Sequence, residues 1–148
     1  MLALTKKTGY GLIAITHLAS LDGGELVSAR EVAECYGIPA SLLMNVLKDL
    51  SAAGLVESVR GARGGYRLSC DPQSLSLADL VDVIEGPFRL AECIGQPKRQ
   101  SNDVACPVVD RCPIADPVHR VHRKMHDFLK TVTLAEIVEP ALADQDPG

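Results

Sequence analysis

The sequence predicts a mainly α-helical chain with one small β-hairpin. Three observations predict it. Apolar residues recur at three- and four-residue steps in several separate segments, the period of an amphipathic helix. Ser28-Ala29-Arg30-Glu31 and Ser76-Leu77-Ala78-Asp79 have the form of capping boxes, in which a serine hydroxyl and an acidic side chain satisfy the first free N–H groups of a helix. Between residues 55 and 69 the pattern changes to alternation on either side of a glycine-rich stretch, the mark of two strands and a turn.

The first helix is expected over Thr5 to Ser20, with Tyr10, Ile13, Ala14, His17, Leu18 and Leu21 on its inward face and Gly23-Gly24 after its end. The second starts after Ser28 and turns Val32, Ala33 and Cys35 inward. Tyr36-Gly37-Ile38-Pro39 is a turn: Gly37 tolerates a positive φ and Pro39 suits the start of a helix. A third helix spans Ala40 to Ala53, with Leu42, Leu43, Val46, Leu47 and Leu50 pointing inward and Gly54 as its stop. Leu55 to Val59 and Tyr66 to Ser69 alternate as strands around Arg60-Gly61-Ala62-Arg63-Gly64-Gly65. A helix over Leu77 to Glu85 ends at Gly86-Pro87, and its Asp79, Asp82 and Glu85 form an acidic, solvated face. A loop from Phe88 to Pro113 follows, polar from Gln96 to Asp103. A loop of that length inside a compact domain is uncommon and is usually functional or disordered. Asp116-Pro117 opens a last long helix to about Thr131, with Val118, Val121, Met125, Phe128, Leu129 and Val132 in one stripe. A short helix can follow Thr133.

Two helices joined by a tight glycine-containing turn and followed by a hairpin make a winged helix-turn-helix. The expected organisation is a winged helix-turn-helix, DNA-binding domain over 1–70, a connecting helix over 71–87, a cysteine-rich loop over 88–113, a dimerisation helix with a C-terminal segment over 114–140 and a tail over 141–148. The apolar stripe of the long helix needs a cover that so small a domain lacks. A second copy supplies it, and a twofold axis suits paired DNA half-sites.

Composition narrows the function classes. The 148 residues are 47% hydrophobic and 23% charged, the balance of a soluble globular chain. Aromatics are only 3%, with no Trp, which leaves an aliphatic core and argues against a base-stacking platform for single strands. No apolar run approaches the roughly 20 residues that span a bilayer, and the first residues lack the pattern of a secretory signal, so a cytoplasmic protein is expected. The net charge of -4 is uneven: residues 1–69 carry seven Lys/Arg against six Asp/Glu, residues 70–148 eight against thirteen. Any phosphate-binding surface therefore belongs to the first half.

On the third helix Ser41, Met44, Asn45 and Lys48 are the expected exposed residues. Serine bonds a phosphate or a base, asparagine pairs bidentately with adenine, methionine touches a thymine methyl and lysine neutralises a phosphate. In the wing, Arg60 and Arg63 sit among glycines that allow close approach to the minor groove. Lys6, Lys7 and Arg30 are further phosphate candidates. There is no phosphate loop, GxSxG or HExxH in the chain, and no enzyme is expected.

Five cysteines, an odd number, argue against a disulfide framework. Cys35 and Cys70 occupy apolar positions in regular elements and are expected to be buried. Cys93, Cys106 and Cys112 crowd into the loop, the last two each followed by proline. Soft thiolates select zinc, copper(I) or iron–sulphur clusters, and three are one short of the usual four ligands. Spacing leaves these metals open, and leaves open reduced thiols or a redox pair without metal. His119, His122 and His126 share a narrow face of the last helix. They flank an apolar stripe among Arg120, Arg123 and Lys124, a setting that disfavours a metal site of their own.

Taken together, TKKTGYGL at the start, GIPASLLMNVLKDLSAAGLV, VRGARGGYRL, SLADLVDVIEG and the AEC and ACPVVDRCPI of the loop resemble, in order and spacing, the Rrf2 family of winged-helix transcriptional regulators, of the IscR, NsrR and RirA type and nearest to RirA in the cysteine loop. The resemblance covers roughly residues 1–138. It implies a homodimeric repressor of a double-stranded DNA operator, with a two-iron or four-iron cluster on Cys93, Cys106 and Cys112 that reports iron, iron–sulphur status or redox and nitrosative stress. By the same resemblance Ser41, Asn45, Arg60 and Arg63 face DNA. The Cys93–Cys106 interval is longer than is usual in these relatives, Ala115 stands where some place a histidine ligand, and Gly9 where a partner copy lends an acid. Glu92, Asp103, Asp110, Asp116, His119 or a small exogenous ligand are the candidate replacements. Met44 replaces a residue that is acidic in IscR-type members. A cluster-free regulator controlled by a protein partner, and a zinc-stabilised interaction module, are the alternatives.

Overall fold

The computed structural model describes residues 4–21, 23–91, 93–94 and 106–138. The element order is α1 (Lys6–Ser20), α2 (Ala29–Tyr36), α3 (Ala40–Ala52), β1 (Val56–Val59), β2 (Gly65–Leu68), α4 (Leu77–Glu85), α5 (Ala115–Thr131) and α6 (Leu134–Val138), with a single 3-10 turn at Val109–Arg111 before α5. The class is the expected one, mainly helical with a two-stranded antiparallel hairpin.

Local chemistry sets the boundaries. Both capping boxes form: the Ser28 hydroxyl accepts from Glu31 N at 3.1 Å while the Glu31 carboxylate accepts from Ser28 N at 2.9 Å, and Ser76 and Asp79 repeat the arrangement for α4. Thr5 caps α1. Gly37, at φ +66°, ends α2 in the left-handed region, and Ile38 N donates to Ala33 O at 2.9 Å to close the turn.

Helices α1, α2, α3 and α4 enclose one aliphatic core, with Ile15, Leu43, Leu47, Leu50 and Leu80 at 0–1% exposure. The sheet pairs Val56 with Leu68 through Val59 with Gly65. Val27 adds a bridge to Tyr66 through bonds of 3.1 and 2.7 Å. A second bridge ties the start of α4 to the end of α5: Leu77 N donates to Val132 O and Leu134 N to Leu75 O, each at 2.8 Å. It delivers Leu134 into the core at 2% exposure. Helix α5 runs antiparallel to α4, as the contacts Ser76 to Thr133, Asp82 to His126 and Phe88 to His122 require.

Four expectations are corrected. The inward face of α1 is Thr8, Gly11, Ala14, Ile15 and Leu18. Tyr10, Ile13 and Leu21 are only partly buried against it. The reason is close packing: a Cβ on Gly11 would lie 2.3 Å from Ile84 Cδ1, so α1 turns its small residues, not its largest, toward α4. Leu42 is 48% exposed, because the buried face of α3 is filled by Leu43, Val46, Leu47 and Leu50. Cys35 is exposed: the narrow inward arc of α2 consists of Ala29, Val32 and Ala33, and Cys35 falls outside it. The acidic face of α4 is not merely solvated, since the carboxylates of Asp79, Asp82 and Glu85 each accept hydrogen bonds, from Ser76 N, Phe88 N and Thr5 N. Cys70 is half-buried as a structural thiol, donating to Leu55 O at 3.6 Å, and burial pushes its pKa up.

Candidate nucleic-acid interface and cysteine segment

The buried leucines of α3 aim its other side outward. Ser41, Met44, Asn45 and Lys48 are all exposed, and their i, i+3, i+4, i+7 spacing puts them on one stripe. The wing that follows is tightly built. Gly61 has φ +119°, and a Cβ on Gly64 would lie 2.1 Å from Val59 O, so the turn between Arg60 and Arg63 closes only with glycine there. Arg60 and Arg63 are exposed on it. Arg67 is held instead across the strands, its Nε donating to the Glu57 carboxylate at 2.6 Å. That bond holds the Glu57 carboxyl below its usual range and the guanidinium above its own.

Beside this exposed stripe, α1 and α3 bound a groove of about 560 Å³ lined by Lys6, Lys7, Tyr10, Leu42, Asn45, Val46, Lys48 and Asp49. The structure thus brings together four of the sequence-predicted residues, Lys6, Lys7, Asn45 and Lys48, with three that pattern reading placed in the interior, Tyr10, Leu42 and Val46. Arg30 is exposed in the first turn of α2. Lys7 differs from the other lysines: its Nζ donates to Asp49 Oδ2 at 2.8 Å and to Ile84 O at 3.3 Å. The first turn of α1 is fixed from the same side, because the hydroxyls of Thr5 and Thr8 both donate to the Glu85 carboxylate. Those bonds draw the Glu85 pKa down.

The cysteine segment leaves α4 pinned against α5. Phe88 N donates to Asp82 Oδ1 at 3.2 Å, and the Phe88 ring stacks on His122 at 5.4 Å between centroids and 11° between planes. His122 in turn lies 6.2 Å from His126, whose Nε2 is 3.7 Å from Asp82 Oδ2. The two imidazoles stack rather than converge, which suits an aromatic column better than a metal. His122 Nδ1 is buried without a hydrogen-bond partner among the described residues. Burial, then the neighbouring His126 and His119, push the His122 pKa below the ordinary imidazole value. Cys93 and Cys112 are half-buried, Cys106 is exposed, and all three are free thiols. Among the described residues no three donors are gathered as a metal centre. The polar stretch from Gln96 to Asp103, with Glu92, lies outside the described residues, as does the expected tail.

A helix-turn-helix with one stripe of its second helix exposed, followed by a wing bearing two exposed arginines, defines a winged-helix DNA-binding regulator. Comparison with known proteins makes the class specific. The family model described as "Rrf2: Iron-dependent Transcriptional regulator" matches residues 4–140, and the chain belongs to that family. It is similar to "Protein aau3" of Rhizobium meliloti (strain 1021), 32% identical over 136 residues that cover 92% of this chain and 84% of that protein. Its fold is similar to that of CymR, the global cysteine regulator of B. subtilis, at a TM-score of 0.70 and 26% identity over 93% of this chain and 97% of that one. It is equally similar to T. potens IscR, at a TM-score of 0.70 and 28% identity over 97% and 91%. Regulators of this family are DNA-binding dimers and transcription factors, not enzymes. No described helix is long and apolar enough to cross a membrane.

Proposed function

We propose that this chain is a cytoplasmic homodimeric repressor that reports iron, iron–sulphur supply or nitrosative and oxidative stress through an iron–sulphur cluster on Cys93, Cys106 and Cys112. The observation that carries the reading is the place of those thiols. In the sequence they lie between α4, which packs on α1 and α3, and α5, none of whose residues is fully buried among the described residues. A change in the segment therefore acts on the reading half and on the pairing helix together. The donor set fits the group: three thiols outside any disulfide are soft ligands of the kind that hold such clusters. Glu92, Asp103, Asp110, Asp116, His119 or a small exogenous molecule would complete it. When bound, a cluster with one non-thiolate position supplies a centre that oxygen or nitric oxide attacks.

The chain's own residues read the operator. Ser41, Met44 and Asn45 meet base edges in the major groove, Lys48, Lys6 and Arg30 meet phosphates, and Arg60 and Arg63 enter the adjacent minor groove. A second copy covers the outer stripe of α5, where Val121 is 47% and Phe128 65% exposed. It also closes the groove of about 680 Å³ that Leu4, Val81, Phe88, Met125, Phe128 and Leu129 help to line.

Anaerobic purification and reconstitution followed by absorption spectroscopy tests the cluster. Visible absorption and bound iron that are lost in Cys93→Ala are expected. A colourless, iron-free protein after reconstitution would contradict the reading. A second reading is a cluster-free regulator controlled by a protein partner, for which the three loop cysteines are free thiols that are not gathered with other donors among the described residues. It predicts normal operator control when all three loop cysteines are alanine.

A further inference from the structure

Lysines on the DNA side of a winged helix are ordinarily assigned to phosphates. We propose that Lys7 is instead a positioning residue, its ammonium tying the last turn of α3 to the end of α4 and so setting the roll of the reading stripe. Three helices meet at this one group. Lys7 sits in the first turn of α1, Asp49 in the last turn of α3 and Ile84 in the last turn of α4. The bonds are 2.8 Å to the Asp49 carboxylate and 3.3 Å to the Ile84 carbonyl. Asp49 follows Asn45 by four residues, so the two share a face of α3, and holding one fixes where the other points. The turn that carries Lys7 is itself fixed, because Thr5 and Thr8 beside it are bonded to Glu85, the neighbour of Ile84. Gly11, one turn further along α1, lets Ile84 pack directly against the helix.

The alternative, a phosphate contact, predicts different signs. An unpaired lysine at the backbone adds to every DNA complex, and its loss lowers the salt slope by about one. A carboxylate at Asp49 would then only repel DNA, and its removal would tighten binding. A positioning pair does neither. It acts on base readout alone, and losing the acid harms as much as losing the base.

The test uses the full-length protein, a duplex that it selects from a random library, and a random-sequence duplex of equal length. Lys7→Met and Asp49→Asn are each expected to weaken the selected duplex up to about fivefold, the ceiling for an exposed ion pair. The double variant is expected to be no weaker than either single one. Affinity for the random duplex and the salt slope stay within error of the wild type. Because both partners are about half exposed, the melting temperature should barely move, so a folding defect is separable. A parallel fall on both duplexes with a shallower salt slope in Lys7→Met, or tighter binding in Asp49→Asn, would overturn the proposal. This test does not depend on whether the cysteines hold a cluster.

Discussion

Helices α3 and α5 are both amphipathic, 13 and 17 residues long, yet α3 fully buries Leu43, Val46, Leu47 and Leu50 and α5 fully buries no residue among the described ones. Four buried side chains hold α3 against α1, α2 and α4, so its opposite stripe is presented at a fixed angle, which the proposed groove-reading role requires. Helix α5 is held along one side by α4, by the aromatic column at Phe88 and by the bridge at Thr133. Its remaining apolar residues, Val121 and Phe128 among them, are exposed among the described residues, and the proposed second copy would cover them.

Breaking the two helices in turn should therefore give different failures. The largest effect is expected from Leu43→Ala, fully buried in α3. It should cost about 2–5 kcal/mol of folding stability, read from the midpoint of urea unfolding. Phe128→Asp, at 65% exposure on α5, should leave the fold of the front half intact by circular dichroism. It should weaken self-association by at least about thirtyfold in sedimentation velocity, as loss of an interface anchor does. A monomer-like Leu43→Ala with normal stability, or an unchanged dimer in Phe128→Asp, would break the comparison.

Smaller effects sharpen it. Arg63→Ala should weaken operator binding about tenfold in fluorescence anisotropy, and unchanged affinity would remove the wing from the interface. The smallest effect concerns the column that pins the cysteine segment. Because the His122 pKa is lowered in the folded chain, the unfolded chain takes up its proton first. Stability from this group is complete above about pH 6.5 and declines as the pH falls below that value toward the lowered one. A melting temperature that drops between pH 7.5 and 5.5 in the wild type, and drops less in His122→Gln, is the expected result.

Much of this was legible in the sequence because it is local. The serine capping boxes, Gly37, the glycines of the wing and the limits of α4 are decided within a few residues, and the structure places each as read. What was not legible depends on partners far along the chain. Thr8 and Gly11 read as weak core residues, and only the approach of Ile84 explains why α1 turns them inward. The carboxylates of Asp82 and Glu85 looked solvated because their donors, Phe88 N and the threonines of α1, come from other elements. The bridge between Leu75–Leu77 and Val132–Leu134 has no local signal at all. For the site, the exposure of Ser41, Met44, Asn45, Lys48, Arg60 and Arg63 followed directly from helix and hairpin periodicity. The α1–α3 groove did not, since Tyr10 and Leu42 have the apolarity of core residues and are displaced only by packing.

The central claim is that the cysteine segment governs the reading half. It is tested most directly by operator affinity, measured anaerobically with iron supplied and with iron chelated, for the wild type and for the variant with alanine at 93, 106 and 112. The wild-type affinity is expected to differ between the two conditions by about fivefold or more, and the variant is expected not to respond. A wild type that binds equally well in both would contradict it.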